Sequence, residues 1–187
     1  FPLEVKVLPA MTDIIEGKVE VSNLRQITIE DLLGRTTVPP KSSLLERNIK
    51  GRIVLVTGAG GSIGSELCKQ IFMLGPKRLI LLEISELSLY SIHQELLKSQ
   101  EILKRSVVVT PLICSVQNQK YLELIFKTYD VDTVFHAAAY KQLPMVELNT
   151  IEGIRNNIFG TESLANAAVA AGVKNFILIS TDKAVRP

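Results

Sequence analysis

Three stretches carry residue types that could do chemistry. The first is "STDKAVRP", residues 180–187, where Thr181, Asp182 and Lys183 directly follow the apolar run "NFILI". A hydroxyl, a carboxyl and an ammonium side by side at a strand end can be an ordinary polar cap. They can equally be part of an acid–base site. The residues alone leave both readings open. The second stretch is "VTGAGGSIGSE", with Gly58, Gly61 and Gly64 three apart and Gly60 added. Glycine permits a tight turn and lets the backbone approach a pyrophosphate. A helix opening there offers free N–H groups and a positive dipole end. Gly58, Gly60, Gly61, Ser62, Ile63 and Gly64 are therefore candidate cofactor contacts. The third is Glu83, which closes "RLILLE" 19 residues after Gly64. A carboxylate there can accept both ribose hydroxyls of an adenosine half, and its charge repels a 2′-phosphate. The cofactor this predicts is NAD, with NADP the alternative.

The elements that must position these groups are regular from Gly51 onward. "RIVLVT" (52–57), "RLILLE" (78–83), "SVVVTPLIC" (106–114), "DTVFHAAA" (132–139) and "KNFILIS" (174–180) read as strands. Helical spacing separates them at 62–75, 85–100, 119–129 and 151–172. The strands are apolar runs rather than alternating ones, as expected when both faces are covered. Strict alternation of the two element types predicts an α/β fold, a Rossmann-type doubly wound parallel sheet. In that fold Ser85 follows the second strand, and Ser115 and Val116 end the third on the adenine side. Many such sites hold an Asp where this chain has Ser115. The small residues Ala137, Ala138 and Ala139 let the fourth strand pass close to the nicotinamide ribose. His136 is read as a satisfied strand-end residue and His93 as structural.

The chain has 187 residues, 47% of them hydrophobic, enough for one domain with a sizeable core. Residues 1–50 are expected to be the tail of an upstream domain plus a linker arm, since "TTVPP" denies backbone donors to any helix or strand. Residues 51–187 are expected to be the dinucleotide-binding domain. Twenty-one basic residues against 19 acidic ones, scattered and without interleaved aromatics, argue against a nucleic-acid partner. Cys68 and Cys114 lie in apolar sequence far from other ligand types. They read as buried thiols of a cytoplasmic protein, with no metal site. The chain begins with Phe1 rather than Met and is read as a piece of a longer protein.

The spacing from Thr57 to Gly64 resembles the extended short-chain dehydrogenase/reductase superfamily. "LLEISELSLYSIHQEL", "VFHAAAYKQLPMVELN" and "LISTDKAVRP" are similar to its polysaccharide-biosynthesis (CapD-like) branch. That resemblance implies a nucleotide-sugar 4,6-dehydratase acting on UDP-N-acetylglucosamine. Thr181 would hold the Ser/Thr position of the catalytic set, with Asp182 as acid and Lys183 as base of water elimination. Lys141 would lie near the cofactor or the UDP-sugar, and Asn157 would steady the active-site strands. It further implies C4 oxidation, loss of water across C5–C6 and hydride return to C6. A homo-oligomer is expected, in a parent anchored at the cytoplasmic face of the membrane. The catalytic Tyr or Met, its paired Lys, the sixth strand and the substrate region would follow Pro187. The 187 residues by themselves are therefore expected not to turn over substrate. A 4-epimerase on the same fold and a non-catalytic dinucleotide sensor are the rival readings.

Overall fold

The computed structural model describes residues 6–7, 25–26, 41–104 and 106–181. The chain forms two compact units, residues 1–40 and 41–187. In the first, β1 (Lys6–Val7) pairs antiparallel with β2 (Arg25–Gln26). The second begins ten residues before Gly51, the boundary suggested by the change in sequence texture. The reason is α1 (Ser42–Arg47) and the turn after it. Ile49 is buried in the core there, and Thr133 Oγ1 donates to the Asn48 carbonyl at 2.8 Å.

The second unit is a five-stranded parallel sheet of β3 (Ile53–Thr57), β4 (Arg78–Glu83), β5 (Val108–Ile113), β6 (Thr133–His136) and β7 (Asn175–Leu178). The strand order is β5-β4-β3-β6-β7. Side chains alternate across each strand. Val54, Val56, Leu79 and Leu81 face one core with Phe72 of α2 (Ser62–Met73) and Leu89 of α3 (Glu86–Leu103). Leu55, Ile80 and Leu82 face the other, with Phe126 of α4 (Gln119–Tyr129) and Leu164 of α7 (Thr161–Ala170). Two buried faces explain why β3 and β4 read as unbroken apolar runs; the edge strands β5 and β7 are only partly covered. Pro111 does not interrupt β5, because an edge strand can do without one ladder donor.

Asp132 ties the N-terminal ends of three strands together. Its carboxylate accepts from the Ile53 N–H at 3.0 Å and from Lys174 Nζ at 2.7 Å. Burial pushes its carboxyl up. The Lys174 and Ile53 hydrogen bonds and the charges of Lys174 and Arg52 outweigh that and hold it below the ordinary value.

The long helix expected over 151–172 is instead α6 (Thr150–Ile154), a π turn (Arg155–Gly160) and α7. One extra residue per turn widens the backbone without ending the helix. A short helix that the sequence reading did not anticipate, α5 (Leu143–Leu148), precedes it with proline in its first turn.

Candidate functional site

The C-terminal ends of the strands meet where the strand order reverses, between β3 and β6. Open α/β sheets bind ligands in that crevice. Gly58 leaves β3 with φ +64°, the left-handed region. A Cβ there would lie 2.8 Å from the Ala137 carbonyl oxygen and the Ala138 nitrogen. Glycine is therefore required twice, for the turn and for the close approach of two backbones. The Gly61 N–H closes the turn on the Gly58 carbonyl at 3.0 Å. Gly61 is also the N-cap of α2, and no side chain caps that end. The first N–H groups, at Ser62, Ile63 and Gly64, have no partner within the helix. They sit at the positive end of a 12-residue dipole. A Cβ at Gly64 would collide with the Gly58 carbonyl.

Glu83 ends β4 beside this turn. Its Oε2 accepts the Gly60 N–H at 3.0 Å, and its Oε1 accepts the N–H groups of Ile84 and Ser85 at 2.9 and 3.1 Å. A carboxylate offers about four acceptor positions. Three being taken, Glu83 has room for one ribose hydroxyl rather than the two expected, unless Gly60 gives up its bond. Its second task, bracing the glycine turn, was not evident from sequence. Ser85 caps α3: its hydroxyl donates to Ser88 Oγ at 3.0 Å and accepts the Ser88 N–H.

A small cleft brings Gly58 and Glu83 together with Ser115, Val116, Ala138 and Asn156. Ser115 Oγ accepts the Gln117 N–H at 3.2 Å, which fixes the loop after β5. Asn156, which the sequence reading missed, lines this cleft. Its neighbour Asn157 turns instead to the backbone of Tyr140, accepting its N–H and donating to its carbonyl, both at 2.9 Å. Asn157 thus acts as a clasp on the loop after β6. Ala139 and Lys141 line a separate open groove of about 480 Å³ with Tyr140, Asn149, Glu152 and Gly153. Thr181 is exposed, two residues beyond the Ile179 N–H that donates to the His136 carbonyl. Asp182 and Lys183 lie outside the described residues.

His136 is 1% exposed, and both ring nitrogens are engaged. Nδ1 meets Thr57 Oγ1 at 2.7 Å and Nε2 meets Thr161 Oγ1 at 2.9 Å. Burial pushes its pKa down from 6.5 to about 4. Buried and engaged at both nitrogens, the ring serves as a structural member between β3, β6 and α7. Between pH 6.5 and 4 the unfolded chain holds a proton that the folded chain does not. Stability is full above pH 6.5 and falls by roughly 3 kcal/mol as pH drops to 4. Urea unfolding midpoints at pH 7, 5 and 4 check this, with His136→Asn expected to flatten the dependence over the same interval.

A family model described as "Polysaccharide biosynthesis protein" matches residues 54–187, which includes the glycine turn, Glu83 and residues 181–183. The chain belongs to this polysaccharide biosynthesis family. It is 43% identical over 185 residues to the capsular polysaccharide biosynthesis protein CapD of Staphylococcus aureus. That match covers 99% of this chain and 30% of CapD, so the chain spans about 30% of its relative's length. Two solved structures share the fold. One is a UDP-glucose-4-epimerase from Stenotrophomonas maltophila with bound NAD and formylated UDP-arabinopyranose. It has a TM-score of 0.62 and 23% identity, over 71% of this chain and 38% of that one. The other is DesIV, a dTDP-glucose 4,6-dehydratase from Streptomyces venezuelae with NAD and TYD bound. Its TM-score is 0.54 at 22% identity, over 66% of this chain and 37% of that one. Family membership and the doubly wound α/β fold both agree with the sequence reading.

Proposed function

We propose that this chain is the dinucleotide-binding part of a nucleotide-sugar 4,6-dehydratase of surface-polysaccharide synthesis, acting on UDP-N-acetylglucosamine. The observation that carries the reading is the glycine turn seated against Ala137 and Ala138 at the β3–β6 crevice, with Glu83 beside it. These residues fit a nicotinamide dinucleotide: without Cβ atoms at Gly58 and Gly64 the turn packs closely on itself and on residues 137 and 138, which leaves the free N–H groups at the start of α2 open to a phosphate. The uncapped start of α2 would receive the pyrophosphate and Glu83 one adenosine ribose hydroxyl. Ser115, Val116 and Asn156 would bound the adenine side, and Ala137, Ala138 and Ala139 the nicotinamide ribose. The Glu83 charge disfavours a 2′-phosphate, so NAD is preferred to NADP. When bound, NAD supplies a hydride acceptor for the sugar and later returns that hydride.

Elimination needs a base for the C5 proton once C4 is a ketone, and an acid for the departing C6 hydroxyl. Lys183 would take the proton and Asp182 give one, with Thr181 hydrogen-bonding the C4 oxygen. Lys141, which lines the open groove with Ala139, would offer a cation to the nucleotide phosphates. Elimination needs Lys183 neutral and Asp182 protonated when it begins. Nucleotide sugars and NAD place this chemistry in the cytoplasm. Among the described residues no helix is long and apolar enough to cross a membrane. Anchoring at the membrane face and self-association are proposed for the parent.

The rival reading is a 4-epimerase, and both an epimerase and a dehydratase share the fold. Fold alone does not choose between the two. Proton NMR of a protein carrying this chain at its relatives' full length, with UDP-N-acetylglucosamine in D₂O, separates them. A C6 methyl signal with deuterium at C5 is expected. A galacto-configured product without a methyl would mean epimerase. Untouched substrate with NADH still binding would mean another sugar nucleotide or a sensor.

A further inference from the structure

The buried contacts of His136 favour one proton order. Thr161 Oγ1 gives its one proton to the Asn157 carbonyl at 2.8 Å. Towards His136 Nε2 it can then only accept, so Nε2 carries the ring proton. Nδ1 is left bare and can only accept, and the hydroxyl facing it at 2.7 Å is Thr57. The Thr57 proton is thereby committed. Its lone pairs face the N–H groups of Ala137 at 3.2 Å and Ala138 at 3.3 Å. In the opposite tautomer the Thr161 hydroxyl would have to turn from the Asn157 carbonyl to Nε2, and Nδ1–H would meet a Thr57 oxygen that already faces two N–H groups, so hydrogen bonds would be lost in a buried place. The line therefore runs one way, from the π turn to the strand end beside Gly58.

We propose that His136 is a positioning residue for the dinucleotide crevice: locked as the Nε2–H tautomer by Thr161, it orients the Thr57 hydroxyl to hold the Ala137 and Ala138 N–H groups. The cofactor side of this inference rests on the dinucleotide reading above. Ala138 lines the cleft. The Ala137 carbonyl and Ala138 nitrogen are also the atoms that approach Gly58 most closely. Where these two residues sit sets the width of the crevice. Asn157 acts at both ends of the same loop: its carbonyl anchors Thr161, and its side chain clasps Tyr140. The strand end and the loop after it are thus fixed to one helix turn through His136. An apolar residue of similar size would fill the space but could orient nothing.

The test uses the ¹⁵N-labelled chain. Multiple-bond ¹H–¹⁵N spectra of the imidazoles should show His136 as a neutral Nε2–H tautomer with a hydrogen-bonded bare Nδ1. Amide exchange at Ala138 should be slow, while the Ala137 N–H is also held by the Thr57 carbonyl at 3.2 Å. Thr161→Val should mix the tautomers, and should speed the Ala138 amide and weaken NADH binding by about tenfold each. Thr161→Ser should restore all three. An Nδ1–H or mixed tautomer in the unaltered chain would overturn the inference. So would a valine variant that matches wild type, or a serine variant as damaged as the valine one, since that marks plain packing. If Thr161→Val fails to fold, Thr57→Val against Thr57→Ser makes the same comparison from the other end. A wild-type chain that does not bind NADH sinks the dinucleotide reading; the tautomer and exchange data then still decide the role of His136.

Discussion

Gly58→Ala is expected to destabilise the second unit by about 3 kcal/mol and to abolish NADH binding, while Gly51→Ala costs only about 1 kcal/mol. The two glycines have nearly the same backbone, φ +64° and +67°. An L side chain pays about 1–2 kcal/mol for that conformation wherever it occurs. They differ in surroundings. A Cβ at Gly51 meets nothing within 4 Å, whereas one at Gly58 is 2.8 Å from the backbone of residues 137 and 138. Those atoms belong to the backbone just after β6 and have no rotamer to change. Relief must come from prising β3 and β6 apart, and overpacking of that kind adds about 1–3 kcal/mol. Urea unfolding of both variants separates the terms, and NADH titration shows whether the crevice survives. Equal losses at the two positions would mean that the close approach carries no cost.

Asp182→Asn, in the full-length protein, is expected to slow formation of the C6-methyl product by about 10²–10⁴-fold. NADH affinity should not change. The reasoning is chemical: a C6 hydroxyl is a poor leaving group without a proton, and an amide cannot supply one. An epimerase never breaks the C6–O bond, so the same variant would keep its activity. Lys183→Met should block deuterium entry at C5 as well. A dehydratase that tolerates Asp182→Asn would move the acid to a residue beyond Pro187.

The five strands were legible as apolar runs: β3 and β4 are buried on both faces, while the edge strands β5 and β7 keep the run but leave Val108, Ile113, Phe176 and Leu178 exposed. The glycine turn and Glu83 were legible because their spacing is fixed by one strand–turn–helix–strand unit. Elsewhere the cues were too local. Ile49 reads as one apolar residue in a polar arm, yet it is buried in the core, and the compact unit starts before it. The π turn keeps a helical composition, so nothing in "RNNIFG" announces the added residue. Asn156, which lines the cleft, therefore went unread beside Asn157, whose side chain clasps the Tyr140 backbone. Thr57 and Thr161 were missed for a different reason. Their partner is His136, 79 and 25 residues away, and no window along the chain contains the set. Asp182 and Lys183, which fall outside the described residues, rest on sequence and family alone.

The place of β3 at the centre of the sheet also orders events in time. Val54 pairs with Leu79 on one side and with Thr133 on the other, 25 and 79 residues along the chain. The shorter closure is entropically cheaper. On a ribosome, β3, β4 and β5 leave first and can pair as a half-sheet while β6 is still being made. Until then the inner edge of β3 is a bare row of donors and acceptors, open to any extended segment nearby. The crevice at the β3–β6 seam comes into being only when that edge is sealed. A dinucleotide that binds there stabilises only chains that have completed the sheet.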